Sequence, residues 1–439
     1  MRDRAAASTL RSWSLRAGIV VLLFLVLVLG GCLSQGQSLE KAMSQAVRDR
    51  VHAYNPDGPY ADVLVDCMVV DAPEDSCTLE ELPTLGGPEG ETPDIDAVMD
   101  RVLVSHDWMG ERFRDVLEEM PEDMLDLMRS LTAINIGAEI RPSYYSSWRA
   151  AIFIDPNYLW LTPEERSDID LSPDYRSDFG EDLDFEFVWR YTRDNDYAWS
   201  FVSVQAQDPG SRTLEDILLF NARLYYHELA HAVDYLEPQR FGDLPQNRPV
   251  AEVTEPTIAQ YLDDAYGLQS TRLRDLAQVR WGGEEATVEQ RNYHAEEVGE
   301  WFGEDGATHW YNYYTIREDL AMLYEEAMMV HHWDLEIDAA FTNVPGENST
   351  AAQRIVHWGE RNRLGAPSIQ ERAVAGIERL MPERSESVAE SLAEMPEPLP
   401  LVRGSTWRAN LDPVGLQPVS RLSEEEMEQQ DQAQQPRRH

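Results

Sequence analysis

His227-Glu228-Leu229-Ala230-His231 sets two imidazoles four positions apart, with a carboxylate directly after the first. On a helix this spacing puts both rings on one face, one turn apart, where they can share a metal ion. Glu228 then lies beside them, within reach of a water on that ion. With ten His among 439 residues and Glu at roughly one position in ten, such a pattern arises by chance about 0.02 times in a chain this long. The chemistry is hydrolytic. Zn²⁺ held by three protein ligands keeps a fourth position for water, lowers that water's pKa towards neutrality and polarises the carbonyl of a bound peptide. Glu228 accepts the water's proton and passes it to the leaving amine.

Two histidines leave the third ligand to be found. Asp234 is on the His227 face, about 10 Å further along the axis, which suits orienting a histidine better than binding metal. Glu237 lies further still along a continuing helix. A later run, Glu318-Asp319-Leu320-Ala321-Met322-Leu323-Tyr324-Glu325, reads Glu-x-x-Ala-x-x-x-Glu. Together with Asp234, three residues past His231, it resembles the paired zinc-binding helices of gluzincins, lethal-factor-like peptidases in particular. The resemblance covers only the two motif helices, and departs at Asp319 and Leu320, where the family often has aromatic residues. It implies one Zn²⁺ per chain, Glu318 as third ligand, and Glu325 and Asp234 behind the ligands. It also implies that Tyr311, seven residues before Glu318 and expected on the same helical face, stabilises the oxyanion, with Tyr314 in reserve. The 87 residues from His231 to Glu318 suit a helical subdomain between the halves of the site. His331 and His332 stand about 20 Å from Glu318 along a straight helix and are not expected to share its metal. His294-x-x-Glu297 reads as a surface pair.

The elements that must position these residues are legible in outline. Thr213 caps a helix with Asp216 in its first turn, and Pro238 forbids its continuation, giving a span near Leu214 to Leu236. Ahead of it, helical spacing runs over Asp96 to Leu103, Gly110 to Met120 and Pro121 to Leu131. Strands follow at Ala151 to Ile154, Tyr158 to Leu161, Glu186 to Thr192 and Tyr197 to Val204, the last two joined in a hairpin around Arg193-Asp194-Asn195-Asp196. Tyr158 to Leu161 is the candidate edge for an extended peptide. Later helices are expected at Val253 to Tyr266, Val288 to Phe302, Thr308 to His332, Ala351 to Arg361 and Ile369 to Leu380. The fold class is α+β and mostly helical, with a small mixed sheet preceding the helix of the histidines; by the resemblance it is a zincin-like metallopeptidase domain.

The first thirty residues place Arg2, Arg4, Arg11 and Arg16 before an unbroken apolar run, Ala17 to Leu29, the order of a secretory signal. Leu29-Gly30-Gly31-Cys32 is similar to the lipobox of bacterial lipoproteins, which implies cleavage before Cys32 and acyl chains on it, enough for stable anchoring. With Leu33 and Ser34 next and no Asp, the expected place is the outer membrane, facing the periplasm. Cys67 and Cys77, the remaining cysteines, are expected to pair in that oxidising compartment. The expected division is 1–31 signal peptide, 32–94 tether and disulfide-clipped loops, 95–380 metallopeptidase domain and 381–439 extended, partly disordered tail.

Charge excludes one class of partner. The chain carries 37 Lys plus Arg against 80 Asp plus Glu, a formal net charge of −43. Its cations are 36 Arg and Lys41, without a basic block in the mature part, so it has no nucleic-acid-coating surface. The acidic excess reads as a solvated face suited to salty surroundings. The acidic stretch Asp178 to Glu186 raises the expectation of basic peptides as substrates. Peptide or protein substrate, and membrane through Cys32, are the implied partners. The alternatives are a catalytically silent zinc-containing envelope scaffold and a binding lipoprotein; a structural site would not require Glu228.

Overall fold

The structure, a computed structural model, describes residues 50–199, 210–346 and 353–415. The expected signal peptide, Cys32 and residues 416–439 lie outside the described residues. The helices in chain order are α1 (Ala61–Met68), α2 (Ile95–Met99), α3 (Asp107–Glu118), α4 (Asp123–Met128), α5 (Pro163–Ser167), α6 (Leu214–Tyr235), α7 (Ile258–Tyr266), α8 (Thr271–Trp281), α9 (Ala295–Glu304), α10 (Ile316–Trp333), α11 (Pro367–Leu380) and α12 (Ser385–Ala393).

The first sheet precedes α6 and is mixed. It contains β1 (His52–Ala53), β2 (Val102–Val104), β3 (Ala133–Ile136), β4 (Tyr144–Ser146) and β5 (Ala151–Ile154), in the order β1-β2-β3-β5-β4. The central strands β2, β3 and β5 are parallel, and β1 and β4 run antiparallel at the two edges. The central strands are buried throughout, hence sequences that are apolar except for the buried Asn135 of β3. Their side chains alternate: Leu103, Ala133 and Phe153 pack with Leu64 and Met68 of α1, while Val104, Ile134 and Ile152 join the main core with α3, α6 and α10.

The second sheet is antiparallel throughout and straddles α6 in sequence. Its strands β6 (Glu186–Arg193), β7 (Asp196–Tyr197), β8 (Glu336–Thr342), β9 (Val356–Arg361) and β10 (Leu399–Pro400) run β10-β9-β8-β6-β7. Phe341 and Trp358 on one face pack with Phe302 of α9 and Trp310. Asp338 is fully buried between two guanidinium groups, Arg190 Nε at 2.7 Å and Arg361 Nε at 2.6 Å, and ties β6, β8 and β9 together. The hairpin turn β6–β7 is where the sequence placed it, with Asp194 and Asn195 at φ 53° and 61°, the left-handed pair a two-residue hairpin needs.

Several boundaries differ from the sequence reading, each for a local reason. Asp96 to Leu103 divides into α2 and the buried strand β2. Tyr158 to Leu161 is no strand: Pro156 at the first helical position and the Asp155 side chain, which accepts from the Asn157 amide, set a 3₁₀ turn instead. Leu159 and Trp160 go into the core, and the exposed edge is β4. Val356 to Arg361 is β9 rather than helix, with Val356 and Trp358 buried and His357 half-exposed in strand alternation. The helix expected from Thr308 to His332 is broken by the cap residue Thr315, upstream of which Trp310–Tyr313 forms a 3₁₀ turn. Of the strand expected over Tyr197 to Val204, β7 ends at Tyr197, and residues 200–204 lie outside the described residues.

Two expected domain limits also shift. Residues from Arg50 onward are built into the first sheet through β1, and Arg149 donates to the carbonyls of Met68 and Val70, so the disulfide-clipped segment packs on the domain from residue 50 and the expected tether before it lies outside the described residues. Beyond Met381, α12 and β10 are ordered elements, with Val388, Leu392, Leu401 and Trp407 buried. Cys67 and Cys77 form the expected disulfide, ten residues apart in sequence. Closing that loop limits the unfolded chain, so the Cys67→Ala/Cys77→Ala protein should lose about 3 kcal/mol of stability in denaturant unfolding while keeping its native circular dichroism.

Candidate metal centre

Helix α6 begins at a capping box, with Thr213 accepting from the Asp216 amide and the Asp216 carboxylate accepting from the Thr213 amide. From there it runs through the core between the first sheet and α10, its second half buried on all sides, so that His227, Glu228, His231 and Asp234 are buried among Leu229, Ala230, Ala232 and Val233. Helix α10 starts at Thr315, whose hydroxyl accepts from the Glu318 amide at 3.2 Å, and packs along α6. That cap sets the register, placing Glu318 in the first turn of α10 beside the two histidines.

Glu318 Oε2 lies 3.0 Å from His227 Nε2 and 3.3 Å from His231 Nε2. The three donor atoms are all within 4.8 Å of one another. Donors about 2.0–2.1 Å from one tetrahedral ion stand about 3.3 Å apart, so two imidazole nitrogens and a carboxylate oxygen at these separations fit a Zn²⁺ ion with little movement. Burial alone would raise the Glu318 carboxyl, but the imidazoles of His231 and His227 hold it well below the usual carboxylate range. Burial likewise disfavours a charged His227, yet its hydrogen bonds to Glu318 and Glu325 prevail and push it up to about 10. A cation entering the cluster competes with that proton.

Glu325 takes the position expected of it, behind the ligands. It is fully buried; its Oε2 lies 3.0 Å from His227 Nδ1, and its Oε1 accepts from Arg223 Nε at 2.7 Å and from the Tyr191 hydroxyl at 2.8 Å. A proton on Nδ1 directed at Glu325 leaves Nε2 free to face the ligand position, the arrangement that orients metal-binding histidines. Sequence reasoning missed Arg223 and Tyr191. Arg223 had a signal, one turn before His227 on the same helical face; Tyr191, on a strand of the other sheet, had none.

Asp234 does something other than orient a histidine. Its Oδ1 accepts from the amides of Ile258 and Ala259, at 2.7 and 2.8 Å, and so holds the start of α7 against the end of α6. Burial pushes its carboxyl up to about 6. Glu237 accepts from the Thr257 hydroxyl and is equally occupied. Far along α10, His332 lies 2.7 Å from Asp123 and His331 2.8 Å from Ser391, away from the cluster. His294 is an exposed residue whose partner is Asp184 at 3.1 Å, rather than Glu297.

Tyr311 reaches the cluster from the 3₁₀ turn rather than from α10. Its backbone amide donates to His309 Nδ1 at 2.9 Å, and the neighbouring Asn312 donates to Asp319 on α10 at 2.9 Å, so Asp319 anchors the turn to the helix. The Tyr311 ring stacks over His227 with 6.2 Å between centroids. Burial, and then the charge of Glu318, push its hydroxyl well above the ordinary range, so it remains a hydrogen-bond donor. Tyr314 stacks on Tyr311, with 5.7 Å between centroids.

Glu228 is buried, and its carboxyl is raised by desolvation, with the imidazoles of His227 and His231 and the backbone amide of Tyr145 pulling the other way. Two adjoining cavities of about 340 and 410 Å³ meet at His227, Glu228 and Tyr311. The smaller is walled by Tyr144 and Tyr145 of the edge strand β4. The acidic stretch Asp178 to Glu186 does not line either one; Asp182, Asp184 and Glu186 pair with Arg291, His294 and Arg354 instead.

Among known proteins, no family model, curated sequence or solved structure matches this chain. The site therefore stands on its own geometry. Its dependence on Glu325 is open to measurement: in Glu325→Gln the half-buried Arg223 loses its counter-charge and His227 its orienting partner. The variant should unfold with about 3 kcal/mol less stability and bind zinc about 10- to 100-fold more weakly, read by denaturant titration and chelator competition.

Proposed function

We propose that the protein is a zinc-dependent metallopeptidase of gluzincin type, anchored in the cell envelope through lipidated Cys32 and acting on peptides or proteins. The observation that carries this reading is the convergence of Glu318 on His227 and His231 across the packed pair α6 and α10, with Glu325 behind His227 and Glu228 facing the cleft. The mixed sheet ahead of α6, with an antiparallel edge strand beside the donor cluster, supports a zincin-like arrangement. The lipid anchor and the envelope location rest on the sequence of the leader.

Zinc, when bound by His227, His231 and Glu318, supplies a Lewis acid and brings a water towards ionisation at neutral pH. The protein's own groups do the rest. Glu228, whose affinity for protons burial raises, takes the proton from the attacking water and hands it to the leaving amine. The Tyr311 hydroxyl donates to the oxygen of the carbonyl under attack, where negative charge grows. Strand β4 is an outer strand of its sheet, and an extended substrate pairing with it would pass directly over Glu228. Among the described residues Glu228 caps no helix and pairs with no arginine; with the Tyr145 amide of β4 and the two imidazoles as its partners it faces the cleft, which favours catalysis over a silent scaffold.

The test is Glu228→Gln, a substitution that keeps shape and removes the base. It should fold normally, retain zinc and hydrolyse peptides at least about a hundredfold more slowly. Peptide hydrolysis at the parental rate would contradict the proposal.

A further inference from the structure

The larger of the two cavities extends from His227 and Glu228 along the outward face of α6, past Leu224, Arg223 and Phe220. It is walled by rings, Trp189 and Trp281 among them, and holds three cations, Arg176, Arg223 and Arg280. Two of the three are neutralised. Arg223 donates to the buried Glu325, and Arg176 makes a two-pronged pair with Asp174. Arg280 is different: its polar partner is the Phe179 carbonyl at 3.3 Å, and among the described residues no carboxylate lies within 4 Å of it.

This cation is held in place rather than left over. Arg280 sits in the last turn of α8, half-buried, next to Trp281, whose ring packs 5.1 Å from that of Tyr311. The segment carrying Asp174, Arg176 and Phe179 crosses above it. Gly180, at φ +72°, lies against the Arg280 stem, and Gly283, at φ +74°, lets the Phe179 ring come so close that a Cβ would meet it at 2.7 Å. Burial and the like charge of Arg176 work against the Arg280 proton and prevail over the more distant carboxylates of Glu186 and Asp174, neither of which pairs with it directly. A half-buried guanidinium beside a second cation gains most from an anion with a planar pair of oxygens. In a chain with a net charge of −43, a cleft wall with an unneutralised cation selects a ligand that the rest of the surface repels.

We propose that this cavity is a carboxylate-binding subsite next to the scissile position, with Arg280 as its specificity-determining cation. The carboxylate is that of an acidic side chain or of a chain terminus, seated among the aromatic walls. This rests on the peptidase reading of the adjoining metal site, and it reverses the expectation of basic substrates drawn from Asp178 to Glu186.

The experiment separates the two. Binding to full-length, zinc-loaded Glu228→Gln protein is measured by titration calorimetry with acetylated tetra-alanine amides carrying Glu, Gln or Phe at the third position, and with acetylated tetra-alanine ending in a free carboxylate. The Glu peptide or the free acid should bind at least about tenfold more tightly than the Gln peptide, and whichever does so identifies the source of the carboxylate. Arg280→Gln should bring that ratio close to one, and Arg280→Lys should retain part of it. Equal binding of charged and neutral peptides, preference for Phe, absence of binding by all of them, or a ratio unmoved by Arg280→Gln would overturn the subsite. Cleavage of the same peptides by parent protein is followed separately by mass spectrometry. A charge preference without any cleavage would leave the subsite standing and remove the peptidase.

Discussion

Glu325 is the carboxylate around which the site is organised. A fully buried ionised group is tolerated only when its lone pairs are satisfied, and here a guanidinium, a phenol and an imidazole do so from α6 and β6. The cost of burying it ties three elements together: α10 cannot slide along α6 without stranding Arg223, and β6 cannot leave without exposing Tyr191. The register that satisfies Glu325 is the same register that brings Glu318, two turns earlier, to His227 and His231. Donor geometry at the mouth of the site is thus a consequence of electrostatics at its base.

Cations are gathered at the cleft of this very acidic chain: its walls carry Arg141, Arg176, Arg223 and Arg280 alongside the carboxylates of Asp174, Glu228 and Glu318. The buried Arg101, on the carbonyls of Pro83 and Thr132, and the half-buried Arg212, on those of Asn157 and Trp160, are satisfied by backbone rather than by acids. Guanidinium suits this use better than ammonium, since its fork of donors reaches two acceptors at once. The preference for Arg over Lys in the composition has this counterpart in the interior.

The part of the site that obeys helical periodicity was legible from sequence, and the part that depends on contacts between distant elements was not. His227, His231, Glu318 and Glu325 sit at spacings that a helix converts directly into faces, and the caps at Thr213 and Thr315 follow from residue type. The cap at Thr315 is masked in the sequence by the helical spacing on either side of it, which runs on through Tyr311. Tyr311 arrives at the site through Asn312 and Asp319 instead. Asp234 had the spacing of an orienting carboxylate, and the amides of α7 took it first. Strand β4 is three residues of Tyr, Tyr and Ser, too short for any alternation to show, and the more apolar Tyr158 to Leu161 drew the assignment while Pro156 dictated a turn. The second sheet escaped because β8 and β9 follow α10, and sequence-local reasoning does not reveal that they pair with β6.

The central claim is that His227, His231 and Glu318 form one zinc site. Elemental analysis of the purified protein and of Glu318→Ala, both prepared without added zinc, tests it most directly. One zinc per parent chain, with clear loss from the variant, is the predicted result. A parent that takes up no zinc even on addition, or a variant that holds it as tightly as the parent, would contradict the account.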